Sequence, residues 1–254
     1  ITRAHRVIMS GDHHQLPPTI KSFEAAKAGL EDTLFAKGLR AQPEGVVMLE
    51  PQYRMEPTIM GFSSNEFYNG KLQADASILQ RERRFEQPVR MVDTAGAGYE
   101  EQIKQETLST YNEQEAELLV RLMEQDDLEG FSVGVIAPYK AQVELLTKSI
   151  AQSEKLAHDA ANIQVNSVDA FQGQERDLIY ISLVRSNESG EIGFLKEKRR
   201  LNVALTRARL KLVIVGDSAT LGSDSFFQRL ITYVQEHGQY ESIYQLPELM
   251  DYAQ

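Results

Sequence analysis

Short runs of β-branched and other apolar residues recur along the chain, and each is followed by a polar or amphipathic stretch. The runs are continuous rather than alternating, as is typical of strands that are covered on both faces. They predict strands over Arg6–Ser10, Val46–Glu50, Val89–Asp93, Ser132–Ala137, Ile163–Ser167, Leu178–Val184 and Lys211–Val215.

Amphipathic helices are predicted between several of these strands. Apolar residues at helical spacing mark Glu113–Glu124, Ala141–Ile150 and Phe226–Glu236. Asp224 is the expected N-cap of the last helix, and Gly238 follows its end. Because strands and helices alternate, the fold class is predicted to be α/β, with a doubly wound and mainly parallel sheet.

The first and last predicted strands resemble each other. Arg6–Asp12 and Lys211–Asp217 are both apolar runs that lead into a Gly-Asp pair. In an open parallel sheet the carboxyl ends of the strands face the ligand crevice. The two runs are therefore interpreted as remnants of two related sheets, with Lys21–Gly45 as connector helices between them.

Composition excludes several classes of protein. The hydrophobic fraction of 42% and the charged fraction of 25% are ordinary values, which argues against collagen, coiled coils and general disorder. No apolar run approaches the roughly 18 residues of a membrane span. The absence of cysteine excludes disulfides, a thiolate zinc site and a cysteine nucleophile, and five scattered histidines give no reason to expect a metal site.

The chain begins at Ile1, without an initiator methionine or a signal-peptide pattern. We interpret it as a piece of a longer protein and expect a cytoplasmic location.

Charge is unevenly distributed along the chain. The net charge of −10 argues against a protein held on nucleic acid by bulk positive charge. Tyr99–Glu129 carries ten acidic residues against two basic ones, and Lys196–Lys211 carries seven basic residues against one acidic residue. The acidic run is interpreted as a solvated face. The basic run contains interleaved apolar residues and is a candidate functional segment.

Four clusters combine amides, arginines and carboxylates. They are Gly11-Asp-His-His-Gln15, Gln52-Tyr53-Arg54-Met55, the run from Val165 to Arg176 that contains Gln172-Gly173-Gln-Glu175, and the run from Arg200 to Arg209 that contains Thr206-Arg207. Each lies just past a predicted strand end or at a predicted helix start, so we expect them to gather at the crevice. Arginine suits phosphate there, because its guanidinium fork matches the phosphate oxygens.

In order and spacing, the four clusters resemble motifs III, IV, V and VI of superfamily 1 class B helicases. The resemblance is closest to the branch of the nonsense-mediated-decay helicase, senataxin and the immunoglobulin-mu-binding helicase, and it runs from Val7 to about Asp217. It implies a RecA-like P-loop NTPase fold in which ATP binds between two domains, and 5′-to-3′ movement along a nucleic acid. The implied organisation is the end of the first domain over 1–20, a connector over 21–45 and the second domain over 46–254.

Two family features are missing from this sequence. It has no Gly-x-x-x-x-Gly-Lys-Ser/Thr loop and no Asp-Glu-Ala segment for Mg²⁺. In the family both precede the motif III glutamine. The resemblance therefore implies that ATP and Mg²⁺ are bound mainly by an upstream domain that acts in cis, and that this chain alone is inactive.

The resemblance assigns the nucleotide-site roles residue by residue. Three residues are implied to be catalytic: Gln15 senses the γ-phosphate, Arg54 contacts it, and Arg207 is the arginine finger. Three more are implied to bind the nucleotide: Tyr53 stacks on adenine, Gly173 lets the backbone approach closely, and Glu175 contacts the ribose or lies near the γ-phosphate. Ordinary structural interpretations remain open, such as a loop-capping amide for Gln15 and a strand-end aromatic for Tyr53. Arg209 is expected on a different helical face from Arg207, in a structural role.

Single-stranded DNA or RNA is the implied partner, and the sequence does not separate the two. The candidate contacts are Asn166, Ser167, Val168, Tyr139, Lys140 and Ser186, with Asn187 beside the last. Tyr139 is interpreted either as a ring that stacks on a base or as half-buried packing. Phe67 and Tyr68, in a further stretch that matches the family, are expected in the core.

A second hypothesis is a non-catalytic RecA-like module that binds nucleic acid or protein. The coding sequence before Ile1 distinguishes the helicase hypothesis from this one, because a phosphate-binding loop is expected there only for the helicase. An unrelated small-molecule enzyme is not supported, because the chain has no dinucleotide-binding fingerprint and no triad pattern.

Overall fold

The computed structural model describes residues 5–17, 20, 22–30 and 32–249, and a parallel sheet lies at its centre. Its strands are β1 (Pro51–Gln52), β2 (Gln73–Ala74), β3 (Val89–Asp93), β4 (Gln102–Lys104), β5 (Ser109–Tyr111), β6 (Val133–Ala137), β7 (Ile163–Ser167), β8 (Arg176–Ser182), β9 (Ala208–Gly216) and β10 (Gln239–Ser242). Six of them form one parallel sheet in the order β10-β3-β9-β8-β6-β7. The short β1 pairs with β2, and β4 pairs with β5 as a hairpin.

Helices cover both faces of the six-stranded sheet. The α-helices are α1 (Phe23–Ala25), α2 (Leu34–Ala41), α3 (Pro57–Tyr68), α4 (Ala76–Leu79), α5 (Glu113–Gln125), α6 (Lys140–Gln152), α7 (Val168–Phe171), α8 (Lys198–Leu205), α9 (Ser218–Leu221) and α10 (Ser225–His237). Successive residues of a strand enter opposite cores: Met91 packs with the buried side chains of α3, α8 and α10, and Val92 packs with those of α5 and α6. This arrangement confirms the doubly wound α/β prediction.

Five predicted strands and three predicted helices are present. The strands at Val89–Asp93 and Ile163–Ser167 have the predicted bounds, and β6, β8 and β9 differ from theirs by one to three residues at an end. The cap of α10 is also as expected, because Asp224 Oδ1 accepts a hydrogen bond from the Phe226 N–H at 2.9 Å.

Two predicted strands are wrong. Arg6–Ser10 and Val46–Glu50 contain no strand, and their apolar side chains face solvent: Ile8 is 97% exposed and Val47 is 83% exposed. A strand requires a ladder of hydrogen bonds to a neighbouring strand, and neither segment forms one within the described residues. The first half of the proposed sheet echo is therefore not a strand.

The predicted connector does contain helices. Thr33 Oγ1 caps α2 by accepting a hydrogen bond from the Ala36 N–H at 3.1 Å. Gly29 has a φ of +92°, which interrupts the helical turn after α1. Lys21, where the connector was predicted to begin, lies outside the described residues, so this domain boundary stays a prediction. None of the described helices is long and apolar enough to cross a membrane.

Candidate functional site

Arg54 connects three distant parts of the chain at the amino-terminal edge of the sheet. Its Nε donates a hydrogen bond to Glu175 Oε2 at 2.6 Å, and its Nη1 donates to the Thr206 carbonyl at 3.0 Å. Glu175 directly precedes β8, and Thr206 lies between α8 and β9. The fold therefore brings together the second, third and fourth motifs found in the sequence.

The backbone that carries Arg54 is fixed by the side chain of Gln52. Gln52 Oε1 accepts from the N–H groups of Arg54 and Met55, and its Nε2 donates to the Met55 carbonyl at 2.8 Å. Arg81, which sequence reasoning missed, donates to the Arg54 carbonyl at 3.3 Å. The glutamine thus holds the turn that presents Arg54.

Arg207 lies beside Arg54 and is almost fully buried, with 2% of its surface exposed. Its guanidinium donates to the carbonyls of Val203 and Gln174 and to Thr206 Oγ1, at 2.9, 3.0 and 3.1 Å. Burial, and after it the neighbouring Arg54 charge, lower the pKa of Arg207 to about 10. Arg207 therefore stays charged at neutral pH in a position that is held by backbone acceptors.

Glu175 lies between two arginines. Arg54 contacts one of its carboxylate oxygens, and Arg209 Nε lies 3.7 Å from the other. Arg209 also donates to Asp177 at 3.0 Å. The prediction that Arg207 and Arg209 lie on different faces of one helix is wrong, because α8 ends at Leu205 and Arg209 belongs to β9. The ion pairs of Arg209 agree with the structural role expected for it. One of them is with Glu175, the carboxylate that also binds Arg54.

Gly173 forms the turn that leads to Glu175. Its φ is +80°, in the left-handed region where other residues are strained. The turn leaves the Gln174 carbonyl free to accept from Arg207. Glycine is thus needed at this position for backbone conformation, whatever binds there.

A hydrogen-bond network holds Gln15 near the arginines. Asp12 Oδ2 accepts from Gln15 Nε2 at 2.9 Å and from the Tyr68 hydroxyl at 2.6 Å. Asn202 Nδ2 donates to that hydroxyl and to the His14 carbonyl, both at 3.0 Å. Burial and the bond to Asp12 raise the pKa of Tyr68. Tyr68 is therefore a partner of the motif III segment and not only a core residue.

These residues line a cavity of about 490 Å³. Asp12, Gln15, Arg54, Tyr68 and Arg207 supply its polar wall, and Val46, Val47, Met48 and Leu49 are among its apolar lining. The volume is in the range of small-molecule sites, roughly 300–1,000 Å³. Arg54 and Arg207 are both lining residues, and arginine side chains suit a polyphosphate.

The remaining predicted nucleotide residues lie around this cavity rather than on its wall. Tyr53 is 66% exposed and points away from the core. Tyr53, Gly173 and Glu175 are not among the lining residues. Among the described residues, no group of three His, Asp or Glu side chains could hold a metal ion.

The sequence motifs divide between two opposite edges of the sheet. Glu175 and Arg207 precede β8 and β9, at the amino ends of the strands, whereas Ser167 ends β7 at the carboxyl edge. A strand of the length of β8 separates the edges by roughly 20 Å. The expectation of one crevice at the carboxyl ends is wrong, because α8 leads the chain from one edge to the other.

The carboxyl edge carries the predicted nucleic-acid residues. Asn166 Oδ1 accepts from the Ser167 N–H at 2.9 Å, and the Ser167 side chain makes no capping bond to α7. The Lys140 side chain is 80% exposed and lies 3.8 Å from Glu144. Val168 is buried, so only its backbone could contact a ligand. Asn166, Ser167 and Lys140 are thus accessible together.

Two of the predicted nucleic-acid residues are already engaged. Tyr139 is 5% exposed, so its ring presents no open face to a base. This burial agrees with the second interpretation of Tyr139, as a packing residue. Ser186 donates its hydroxyl to Asp217 and its N–H to Glu101, both at 2.9 Å. These carboxylates would repel a phosphate, so the geometry does not favour Ser186 as a contact. Asn187 donates to the same Glu101 at 3.0 Å.

A buried carboxylate fixes the backbone between β8 and Ser186. Glu115 is fully buried on α5, and its Oε1 accepts from Ser182 Oγ at 2.6 Å and from the Val184 N–H at 2.8 Å. Val184 has a φ of +72°, which is strained for a β-branched residue. Burial raises the pKa of Glu115 to about 7. The bonds to Glu115 help to hold Val184 in this conformation.

The raised pKa of Glu115 predicts a pH-dependent stability. A carboxyl whose folded pKa lies above its ordinary value favours the folded state only while protonated, so the contribution is lost as pH rises from about 4.5 to about 7. Glu115→Gln keeps the acceptor and removes the titration. We expect wild type to lose up to about 3 kcal/mol relative to Glu115→Gln between pH 5 and pH 8. Thermal melts at both pH values check this.

The exposed Glu113 on the same helix provides the control. Glu113→Gln should keep the pH dependence of wild type. If Glu115→Gln kept it too, Glu115 would not be the titrating group.

Comparison with known proteins identifies the family. A family model described as "AAA domain" matches residues 30–219. DNA polymerase alpha-associated DNA helicase A of Saccharomyces cerevisiae is 41% identical over 85% of this chain and 35% of its own length. ATP-dependent helicase NAM7 of the same yeast is 39% identical over 92% of this chain and 25% of its own.

DNA-binding protein SMUBP-2 of Mus musculus is 34% identical over 96% of this chain and 26% of its own length. The chain thus spans about a quarter to a third of the length of these relatives. Its fold, its motifs and these similarities agree with the resemblance found in the sequence. The chain belongs to the AAA-domain family of superfamily 1 helicases, in the branch of senataxin and the nonsense-mediated-decay helicase.

Proposed function

We propose that this chain is the C-terminal half of an ATP-dependent DNA or RNA helicase and supplies one side of its ATP site. The observation that carries the proposal is the convergence of Arg54, Glu175 and Arg207 beside one cavity. These residues come from three separate segments of the sequence, and their hydrogen bonds join them at the amino edge of the sheet. A scaffold without ATPase work would not need two adjacent guanidinium groups in a cavity wall.

Bound ATP would supply the phosphoryl group, and the arginines would stabilise the charge that develops on it. Arg207 is the proposed finger, since the residue is part of the cavity wall and its guanidinium is fixed by backbone acceptors. Arg54 is the second cation, and Gln15 is the sensor that couples the γ-phosphate to closure of the two domains. We propose that Mg²⁺ and the β-phosphate are bound by an upstream RecA-like domain, since the sequence has no phosphate-binding loop and no Asp-Glu-Ala segment.

A single strand is proposed to cross the opposite, carboxyl edge. Asn166 and Ser167 offer small polar groups that can approach a sugar-phosphate backbone, and Lys140 offers an exposed cation. Movement in the 5′-to-3′ direction follows from the family resemblance alone. The organisation into residues 1–20, 21–45 and 46–254 is part of the same proposal.

The proposal predicts that this chain alone does not turn over ATP. Nothing in its sequence provides the loop whose backbone N–H groups hold the β-phosphate. Steady-state phosphate release should stay at background with single-stranded DNA or RNA present. The longer product of the same gene should show turnover that a single strand stimulates. Turnover by the purified chain at the rate of that longer protein would contradict the half-site assignment.

A further inference from the structure

We propose that Phe194 is a base-stacking residue of the single-strand path, with Tyr139 as its support from beneath. This inference rests on the proposed function of the carboxyl edge. Sequence reasoning placed an aromatic contact at Tyr139, but the structure buries that ring and leaves Phe194 59% exposed directly beside it. The residue that can offer a face to a base is therefore Phe194.

The Tyr139 and Phe194 rings are stacked, and Phe194 is the ring that is exposed to solvent. The ring centroids of Tyr139 and Phe194 are 5.3 Å apart, with an angle of 30° between the planes. The Arg200 guanidinium lies 5.8 Å from the centroid of the Phe194 ring. An aromatic ring next to a cation is the usual composition of a site that stacks bases and contacts phosphates.

The position of Phe194 is built into the backbone. The Tyr139 hydroxyl accepts from the Phe194 N–H and from Arg185 Nη1, both at 3.2 Å. Gly193 has a φ of +51°, and a Cβ at this position would lie 2.3 Å from Arg185 Nη1 and 2.5 Å from the Tyr139 hydroxyl. A side chain at this position would be strained by the positive φ and would have to displace the Arg185 guanidinium and the Tyr139 hydroxyl. The close approach at Gly193 and the hydrogen bond from the Phe194 N–H keep this backbone next to the Tyr139 ring.

Phe194 lies among the residues already proposed to contact the strand. It lines one narrow apolar cleft together with Pro138, Val168 and Arg200, and Lys140 follows Tyr139 in the chain. The Lys140 and Arg200 side chains are 80% and 35% exposed, and within the described part of the chain each forms only a long ion pair, with Glu144 at 3.8 Å and with Asp169 at 3.4 Å. Cations beside a single exposed ring complement a strand of phosphates and bases, so we commit to single-stranded nucleic acid as the occupant.

The test measures binding of an oligodeoxythymidine strand that carries one 2-aminopurine to this chain. Wild type should quench the 2-aminopurine fluorescence, and Phe194→Ala should weaken binding about 5- to 150-fold, the range for loss of one stacked base. Phe194→Trp should retain affinity and quenching. Because stacking involves the base and not the sugar, an oligouridine strand should show the same loss.

A matched control is available at Phe23. This phenylalanine is 74% exposed and also has a cation near its ring, with Lys27 Nζ at 4.8 Å from the centroid. Phe23→Ala should leave binding unchanged. Phe194→Leu, which keeps an apolar side chain without a π face, should lose affinity as Phe194→Ala does, so the test does not depend on the fold of one variant.

The outcomes separate this inference from the proposed function. If wild type binds the strand in a salt-dependent way and Phe194→Ala binds equally well, Phe194 does not stack on a base, and the proposed strand path stands. If wild type binds neither strand, the proposed nucleic-acid edge is itself wrong, and this inference is overturned with it.

Discussion

Arg207→Ala in the intact helicase is expected to lower kcat for ATP hydrolysis by about a thousandfold or more, with a smaller change in ATP affinity. A finger arginine acts on charge that develops in the transition state, so its loss appears in kcat. Arg207→Lys should restore little activity. An ammonium group cannot bond the Val203 and Gln174 carbonyls as the fork does, and burial would also lower the pKa of the lysine. Steady-state kinetics and nucleotide binding measure both effects.

The same substitution should also destabilise the chain. Alanine would remove the donor to the Gln174 carbonyl and the contacts that Arg207 makes while almost fully buried, at a cost of about 1–3 kcal/mol. Arg209→Ala is the comparison, since the Arg209 side chain is 37% exposed and its ion pairs are accessible to water. Equal kcat in both alanine variants would contradict the assignment of Arg207 as the finger.

Arg54→Ala should lower kcat with a smaller loss of stability than Arg207→Ala. The Arg54 side chain is 30% exposed, and its partner Glu175 is 45% exposed, so the ion pair contributes little to folding. We expect the melting temperature to change by only a few degrees. The fall in kcat should still be on the order of a thousandfold, since a charge near the transferring phosphoryl group is lost.

Arg229 provides the matched control for Arg54. It forms an ion pair with Glu66 at 2.5 Å and is 53% exposed, and it does not line the cavity. Arg229→Ala should keep both kcat and stability. A wild-type kcat in Arg54→Ala would show that this arginine serves only to hold Glu175.

The central sheet could be predicted because its strands are continuous apolar runs. The same signal failed at Arg6–Ser10 and Val46–Glu50, where apolar residues lie in exposed segments that pair with no strand among the described residues. It also missed β10, whose Gln239–Ser242 sequence is polar and half-buried at the sheet edge. Burial and pairing depend on the rest of the fold, and a local pattern does not contain them.

The sequence could predict which residues belong to the candidate site, but it could not predict how they are arranged. The motif resemblance found Arg54, Glu175 and Arg207, and the contacts of Arg54 with Glu175 and Thr206 span more than a hundred residues of sequence. The roles of Tyr68 and Asn202 in holding Asp12 and the Gln15 segment depend on side-chain contacts between α3 and α8. No spacing rule in the sequence connects residues that are 134 positions apart.

The most direct test of the ATP half-site is a double-mutant cycle of Arg54→Ala and Arg207→Ala on kcat in the intact helicase. If both guanidinium groups act on one phosphoryl group, the double variant should be only slightly slower than the slower single variant, because residues that act as a unit are not additive. Wild-type rates in the two single variants and in the double variant would show that this cluster takes no part in hydrolysis.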